Sequence, residues 1–130
     1  AGVLESYVLS TYSARKLGMT STGNAGGVHN LLVEGRTRTV EELLSEMGDG
    51  LLVTSLMGQG VNIVNGDYSR GASGFRVKNG QIDHAVDEVT VAANMKDLFN
   101  NIVGIGDDVD VRGSIQAPSI LVASMTVGGS

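Results

Sequence analysis

The sequence contains no cysteine and no tryptophan, and it has one proline and two histidines in 130 residues. Without cysteine the chain can form neither a disulfide nor a thiolate metal site. A zinc hydrolase centre needs two or three imidazoles or carboxylates that converge on the ion, and His29 and His84 are 55 residues apart. We therefore expect both histidines to pack at the edge of the core. No catalytic residue, metal ligand or cofactor site is predicted in this chain.

Positive charge is also scarce, because nine Lys and Arg stand against fourteen Asp and Glu, for a net charge of −5. Binding to nucleic acid phosphates requires clustered basic residues, which this composition does not supply. The sequence has neither a secretory signal nor an apolar run of about 18 residues that could span a bilayer. We expect neither nucleic acid nor membrane as a partner.

The composition that remains is that of a globular domain, with 42% hydrophobic and 18% charged residues. A chain of this length can bury one core, so we expect a single domain over residues 1–130. The chain lacks an initiator Met and opens on residues 3–9, which are rich in β-forming side chains. This opening predicts a strand, and it favours a piece of a longer protein.

A hairpin is predicted around Asn79-Gly80, because a type I′ turn needs positive φ at both central residues. The turn fixes a register, which pairs Lys78 with Gln81, Val77 with Ile82, Arg76 with Asp83, and Phe75 with His84. In that register Phe75, Val77, Ile82 and His84 share the face that packs on the core.

Two amphipathic helices are predicted. Thr39 and Glu42 form a capping box that opens the first helix, and Gly48 stands where its C-terminal cap belongs. Asn94 caps the second helix. The apolar stripes of the two helices are Val40, Leu43, Leu44 and Met47 in the first, and Met95, Leu98, Phe99 and Ile102 in the second.

The remaining strands are predicted at residues 28–34, 51–56, 86–92 and 118–127, with a short helical turn at 11–17 that Gly18 ends. The strands do not alternate regularly with the helices. The predicted fold is therefore α+β with a largely antiparallel β-sheet.

Two further patterns could be mistaken for ligand sites. Gly58 and Gly60 do not make a phosphate loop, because no third glycine and no Gly-Lys-Ser/Thr follow them. Asp107, Asp108 and Asp110 lack the ordered ligands and closing Glu of a calcium loop, so they indicate a solvated acidic turn.

The polar, glycine-flanked segment before the hairpin is the best candidate for function, because loops on the surface often carry binding residues. The candidate residues for binding a partner or a peptide are Gly58, Gln59, Gly60, Asn62, Asp67, Tyr68, Ser69 and Arg70. The competing interpretation is structural. An internal Asp67–Arg70 pair or an Asx-turn would then shape the loop.

The same segment resembles the C-terminal part of the PmbA/TldD family, whose members are described as modulators of DNA gyrase and as metalloprotease subunits. Gly58-Gln59-Gly60-Val61-Asn62 and Gly66-Asp67-Tyr68-Ser69-Arg70-Gly71-Ala72 carry this resemblance. It extends to residues 11–18, 21–27 and the last ten. Tyr68-Ser69-Arg70-Gly71-Ala72 is more similar to the PmbA branch than to TldD.

The resemblance implies that this chain is the C-terminal part of a PmbA-like protein. Such a protein pairs with a TldD-like subunit in a cytoplasmic complex that cleaves unfolded peptides. It also implies that zinc is bound by a His-Glu-x-x-x-His helix in the TldD-type partner. This chain has no such motif. The fragment would supply binding surface for a partner or a peptide. The alternative is a regulatory module without enzymatic activity that modulates DNA gyrase.

The β-rich sequence also suggests self-association. A sheet that begins within the strand at residues 3–9 would expose an edge, and an exposed edge can pair with another chain. We expect a symmetric dimer as a further partner arrangement.

Overall fold

The computed structural model describes residues 3–34 and 38–129. Within them the helices are α1 (Thr11–Leu17), α2 (Val40–Met47) and α3 (Met95–Asn100). The strands are β1 (Leu31–Leu32), β2 (Gly50–Met57), β3 (Asp67–Lys78), β4 (Gln81–Asn94), β5 (Ile102–Ile105), β6 (Ile115–Gln116), β7 (Ile120–Val122) and β8 (Thr126–Gly128). Most strand pairs are antiparallel, which confirms the predicted α+β class.

The chain divides into two compact units. The first comprises the described residues of Ala1–Val33 together with Asp110–Ala117, and the second those of Glu34–Val109 together with Pro118–Ser130.

The first unit contains α1 and a two-stranded parallel pair of β1 and β6. Ser10 caps the start of α1, and Gly18 ends it with a left-handed φ of 65°. The predicted strand at residues 3–9 is wrong, because this segment has no regular structure. Its β-forming side chains find no partner strand in the described residues, and Leu9 is instead held by hydrogen bonds between its backbone and Thr22.

The second unit is built on a four-stranded antiparallel sheet in the order β2-β3-β4-β8. Its core is small and centres on buried Ala72, Val89 and Val91. Half-buried side chains that pack against this core are Leu51, Val53, Tyr68, Val86 and Met125. A separate antiparallel pair, β5 and β7, completes the unit.

The hairpin of β3 and β4 turns at Asn79 and Gly80, whose φ angles of 51° and 74° are those that a type I′ turn requires. The pairs nearest the turn, Lys78 with Gln81 and Val77 with Ile82, are confirmed. Beyond them the prediction is wrong. A bulge shifts the register so that Arg76 pairs with His84 and Phe75 pairs with Ala85.

Because of this bulge, the environment of His84 also differs from the predicted one. The side chain of His84 is 63% exposed and lies 3.1 Å from the carboxylate of Asp83, so it is not packed at the core edge. His29 is exposed as well. Val77 is fully buried, whereas Ile82 opposite it is 52% exposed.

The two predicted helices differ in outcome. In α2 the capping box of Thr39 and Glu42 is present, and Leu43 and Leu44 are buried as the stripe predicts. Helix α3 does begin after Asn94, but it buries no residue and ends at Asn100. Ile102, predicted on its stripe, begins β5 instead, and Phe99 is 63% exposed.

Of the remaining strand predictions, those at 51–56 and 86–92 are confirmed, because they fall within β2 and β4, and the other two need correction. The segment at 28–34 forms a strand only at β1, and the segment at 118–127 is split into β7 and β8. Strands β5 and β6 were not predicted.

Candidate functional site

The candidate segment follows β2 in the chain and extends its antiparallel pairing with β3. The backbone N–H of Ser69 donates to the carbonyl of Gly60 over 2.8 Å, and that of Asn62 donates to the carbonyl of Asp67 over 2.8 Å. Val61 and Tyr68 form an antiparallel bridge between these bonds. The candidate residues therefore lie on two short paired arms, and residues 63–66 connect the arms as a tip.

Gly60 is at a point of close backbone approach. A Cβ atom built at this position would stand 1.8 Å from the carbonyl oxygen of Ser69. Only glycine allows the two arms to meet here without displacement.

The tip is shaped by two asparagines. The side chain of Asn62 accepts from the backbone N–H of Val64 over 3.0 Å, and that of Asn65 accepts from the N–H of Asp67 over 3.0 Å. The N–H of Gly66 also donates to the carbonyl of Asn62 over 2.8 Å. The two side-chain bonds, to Asn62 and to Asn65, are Asx-turns, in which a side chain takes the place of a backbone acceptor.

Asn94, at the end of β4, fastens the tip to the sheet. Its Nδ2 donates to the carbonyl of Asn65 over 3.0 Å and lies 3.3 Å from the carboxylate of Asp67. The N–H of Met95 donates to the carbonyl of Gly66 over 2.7 Å. The sequence identified Asn94 only as a helix cap, and its spacing of 27 residues from Asp67 gave no signal of this contact.

Asp67 and Arg70 make separate contacts. Asp67 accepts from Asn65 over 2.6 Å, whereas the guanidinium of Arg70 donates to the carbonyls of Leu56 over 3.3 Å and Met57 over 3.4 Å. The ion pairs found in residues 3–34 and 38–129 involve neither residue. The loop is thus shaped by Asx-turns and not by an Asp67–Arg70 pair.

A shallow groove of about 390 Å³ lies along the two arms. Its lining residues are Gln59, Gly60, Val61, Asn62, Asp67 and Ser69. Five of the eight candidates thus line one groove, and three do not. Gly58 forms the turn before the arms with φ of 75°, Arg70 contacts β2, and Tyr68 is half-buried against the core of the sheet.

The tip presents two aliphatic side chains that the sequence analysis did not single out. Ile63 is 92% exposed and Val64 is 91% exposed. The available signal was a pair of adjacent β-branched residues inside an otherwise polar, glycine-rich segment.

The described residues do not fit a zinc centre, since no group of three or more His, Asp or Glu side chains among them could hold a metal ion. We therefore derive no chemical step through zinc in this chain.

Two aspartates of the acidic turn, Asp108 and Asp110, accept hydrogen bonds through their carboxylates. Slight burial acts to raise the pKa of the Asp108 carboxyl, but hydrogen bonds from the hydroxyl and the N–H of Ser119 lower it below its ordinary value. The Arg112 side chain, which donates over 2.8 and 2.9 Å, lowers the pKa of Asp110 to about 2.

The sequence matches the PmbA/TldA metallopeptidase C-terminal domain over residues 1–129. The chain belongs to the PmbA/TldD family. Metalloprotease PmbA of Escherichia coli O157:H7 is 52% identical over 98% of this chain, and the PmbA homologue of Haemophilus influenzae is 52% identical over 99%. The expected similarity to the PmbA branch is therefore confirmed.

The fold is also found in a larger solved protein. A crystal structure from Thermotoga maritima, described as a candidate modulator of a DNA gyrase, superposes with a TM-score of 0.85 at 38% identity and covers 98% of this chain. The chain spans 31% of that protein, and 28% and 29% of the two curated relatives. It thus corresponds to less than a third of their length.

In the part of the chain that the structure describes, we find no helix with the length and apolar character needed to cross a membrane.

Proposed function

We propose that this C-terminal domain binds polypeptide for a PmbA-like subunit of a peptidase complex. In this proposal the subunit works beside a TldD-type subunit in the cytoplasm, and the TldD-type subunit carries the zinc and cleaves unfolded peptides. The groove along residues 59–69 and the tip beyond it form the contact surface, and the chain itself contributes no catalytic group.

The exposure of Ile63 and Val64 is the observation that supports this proposal most strongly. Burying a Val or Ile side chain stabilises by about 1.5–3 kcal/mol. Ile63 and Val64 are almost fully exposed, so a partner that buried them would gain this free energy on binding. Apolar anchors of this kind typically fill pockets on a partner.

The hydrogen bonds within the loop also favour binding, because they reduce the free energy that ordering the loop would cost. In the chain alone the tip is held by hydrogen bonds that the side chains of Asn62 and Asn65 accept and by one that the side chain of Asn94 donates. Ordering a flexible loop costs free energy on association, and a loop that is already ordered avoids most of that cost.

Binding of the chain to a purified TldD-type subunit from the same source tests the proposal. We expect the two proteins to co-elute. The double substitution Ile63→Asp with Val64→Asp should raise the dissociation constant by about tenfold or more, because a loss of 1.4 kcal/mol in binding free energy corresponds to a factor of ten. Val111→Asp is the matched control, because Val111 is 69% exposed but lies outside the site. The proposal fails if the wild-type chain does not bind, or if the control weakens binding as much as the double variant.

The alternative is a regulatory module that acts on DNA gyrase without enzymatic activity. The description of the Thermotoga maritima protein as a candidate gyrase modulator favours it. Adding the chain to a gyrase supercoiling reaction discriminates the two. A change in rate at equimolar chain favours the alternative, and an unchanged rate favours the peptidase complex.

A further inference from the structure

Strand β2 is an open edge of the four-stranded sheet. Within residues 3–34 and 38–129 it pairs with β3 on one side only, and the order β2-β3-β4-β8 puts it at the end. Edge strands are usually protected from additional pairing by charged residues or proline. The eight residues of β2 include neither, and the one interruption is a bulge between Val53 and Ser55.

Two arginines of β3 lie at the two ends of this edge. Nη1 of Arg76 donates to the carbonyl of Gly50 over 3.1 Å, at the start of β2. Nη2 and Nε of Arg70 donate to the carbonyls of Leu56 and Met57, at its end.

Neither guanidinium is neutralised by a carboxylate of the described residues, because the ion pairs there belong to Arg38, Arg112 and His84. A guanidinium has five N–H donors, so each arginine keeps donors for a further acceptor. Asp49 lies beside Gly50, but its carboxylate accepts from the N–H of Asn79 over 3.3 Å.

The spacing of the two arginines matches an extended segment. Arg76 pairs with Leu51, and Gly71, next to Arg70, pairs with Met57. Leu51 and Met57 are six residue steps apart along β2, which is about 20 Å at roughly 3.3 Å per residue. A peptide of about seven residues could therefore reach both guanidinium groups while it pairs with β2.

We propose that the edge of β2 binds an extended peptide segment with a carboxylate near each end. The backbone of the segment adds a strand to the sheet, and its two carboxylates pair with Arg70 and Arg76. This inference rests on the proposed polypeptide-binding function, adds the edge of β2 as a second surface beside the groove of residues 59–69, and names the class of segment that binds there.

A second copy of this chain is a poorer occupant of the same edge. Symmetric antiparallel pairing of β2 with itself would bring the Met57 end of one copy beside the Gly50 end of the other. Arg70 of each copy would then approach Arg76 of the other, and like charges across paired strands are destabilising. An acidic segment has the complementary charge.

The test uses the intact chain and a labelled seven-residue peptide of alternating Val and Thr with capped ends and Glu at positions 1 and 7. We expect this peptide to bind at least tenfold tighter than the same peptide with Gln at both positions, measured by fluorescence anisotropy at low salt. N-methylation of alternate amides should abolish binding, because it removes the donors that pair with the edge.

Variants of the chain then locate the site. Arg70→Gln and Arg76→Gln should each remove most of the preference for Glu, and Arg70→Lys should retain part of it. Arg112→Gln is the control, since Arg112 is an exposed arginine that is bound to Asp110 and lies outside the edge. Circular dichroism should show that all four variants are folded.

Equal binding of the Glu and Gln peptides, or no binding at all, overturns the inference. So does an N-methylated peptide that binds as well as the parent, or an Arg112→Gln variant that loses as much as the others. A concentration-dependent dimer that Arg70→Gln and Arg76→Gln strengthen would make a second copy the occupant. If the TldD-type subunit still co-elutes while the peptide fails, this inference falls and the proposed function stands.

Discussion

Gly60 allows the two arms of the candidate site to approach each other, because a side chain there would collide with the carbonyl oxygen of Ser69. We expect Gly60→Ala to destabilise the chain by about 1–3 kcal/mol, as overpacking typically does. Urea unfolding measures the change.

Gly26→Ala is the control for this substitution, since a Cβ atom at Gly26 has no neighbour within 4 Å. It should change stability by less than about 1 kcal/mol. Equal stability of the two variants would mean that the arms can separate at no cost.

Asp110 and Arg112 form an exposed pair whose pH dependence can be predicted. The hydrogen bonds from Arg112 lower the pKa of Asp110 from the ordinary 3.8 to about 2. A depressed pKa favours the charged form, so the pair contributes fully above pH 3.8 and is lost as the pH falls through about 2.

An NMR titration of the Asp110 carboxyl should show this depression, and Arg112→Gln should return the pKa toward 3.8. Arg15→Gln, on α1, should leave it unchanged. A wild-type pKa near 3.8 would show that the pair does not persist in solution.

At the scale of elements, α2 shows how local signals specify a helix. The N–H of Glu42 donates to the hydroxyl of Thr39 over 3.2 Å, and the N–H of Thr39 donates to the carboxylate of Glu42 over 2.8 Å. Thr39→Ala should therefore cost about 1 kcal/mol in denaturant unfolding. Thr20→Ala, at an exposed residue outside any helix, should cost much less, and equal losses would contradict the capping role.

Elements with a local cause could be predicted from the sequence. The capping box of α2 and the turn at Asn79 and Gly80 each depend on residues close together in the chain, and both were found. The bulge opposite Arg76 leaves Asp83 unpaired, and the residues of the turn give no signal of it. That bulge explains why the pairing of Arg76 and the environment of His84 were wrong.

Segments that require distant partners were the least predictable. Residues 3–9 have the composition of a strand but find none to pair with in the described residues, whereas β5 forms in a glycine-rich stretch because β7 pairs with it. The same holds for the site. Its glycine and asparagine turns could be anticipated locally, but the contact of Asn94 with the tip could not.

For the whole molecule, residues 3–9 offer no strand edge through which two copies could pair. The expected edge at the start of the chain is not a strand, and among the described strands β2 lies at an edge of the four-stranded sheet. A symmetric dimer stays a prediction, and the charges of Arg70 and Arg76 argue against β2 as its interface. Sedimentation at several concentrations measures the oligomeric state.

The acidic balance of the chain predicts negligible binding to duplex DNA at physiological salt. A gel-shift assay should show no complex at micromolar concentrations of chain. A complex with a steep dependence on salt would show that a basic surface exists despite the net charge of −5.

We propose that residues 59–69, with the tip at Ile63 and Val64, form the surface that contacts a partner polypeptide. Hydrogen–deuterium exchange of the chain, with and without the TldD-type subunit, tests it most directly because it locates the contact. The account predicts that slowed exchange on binding is concentrated in residues 59–69. Slowed exchange confined to other segments, with residues 59–69 unchanged, would contradict it.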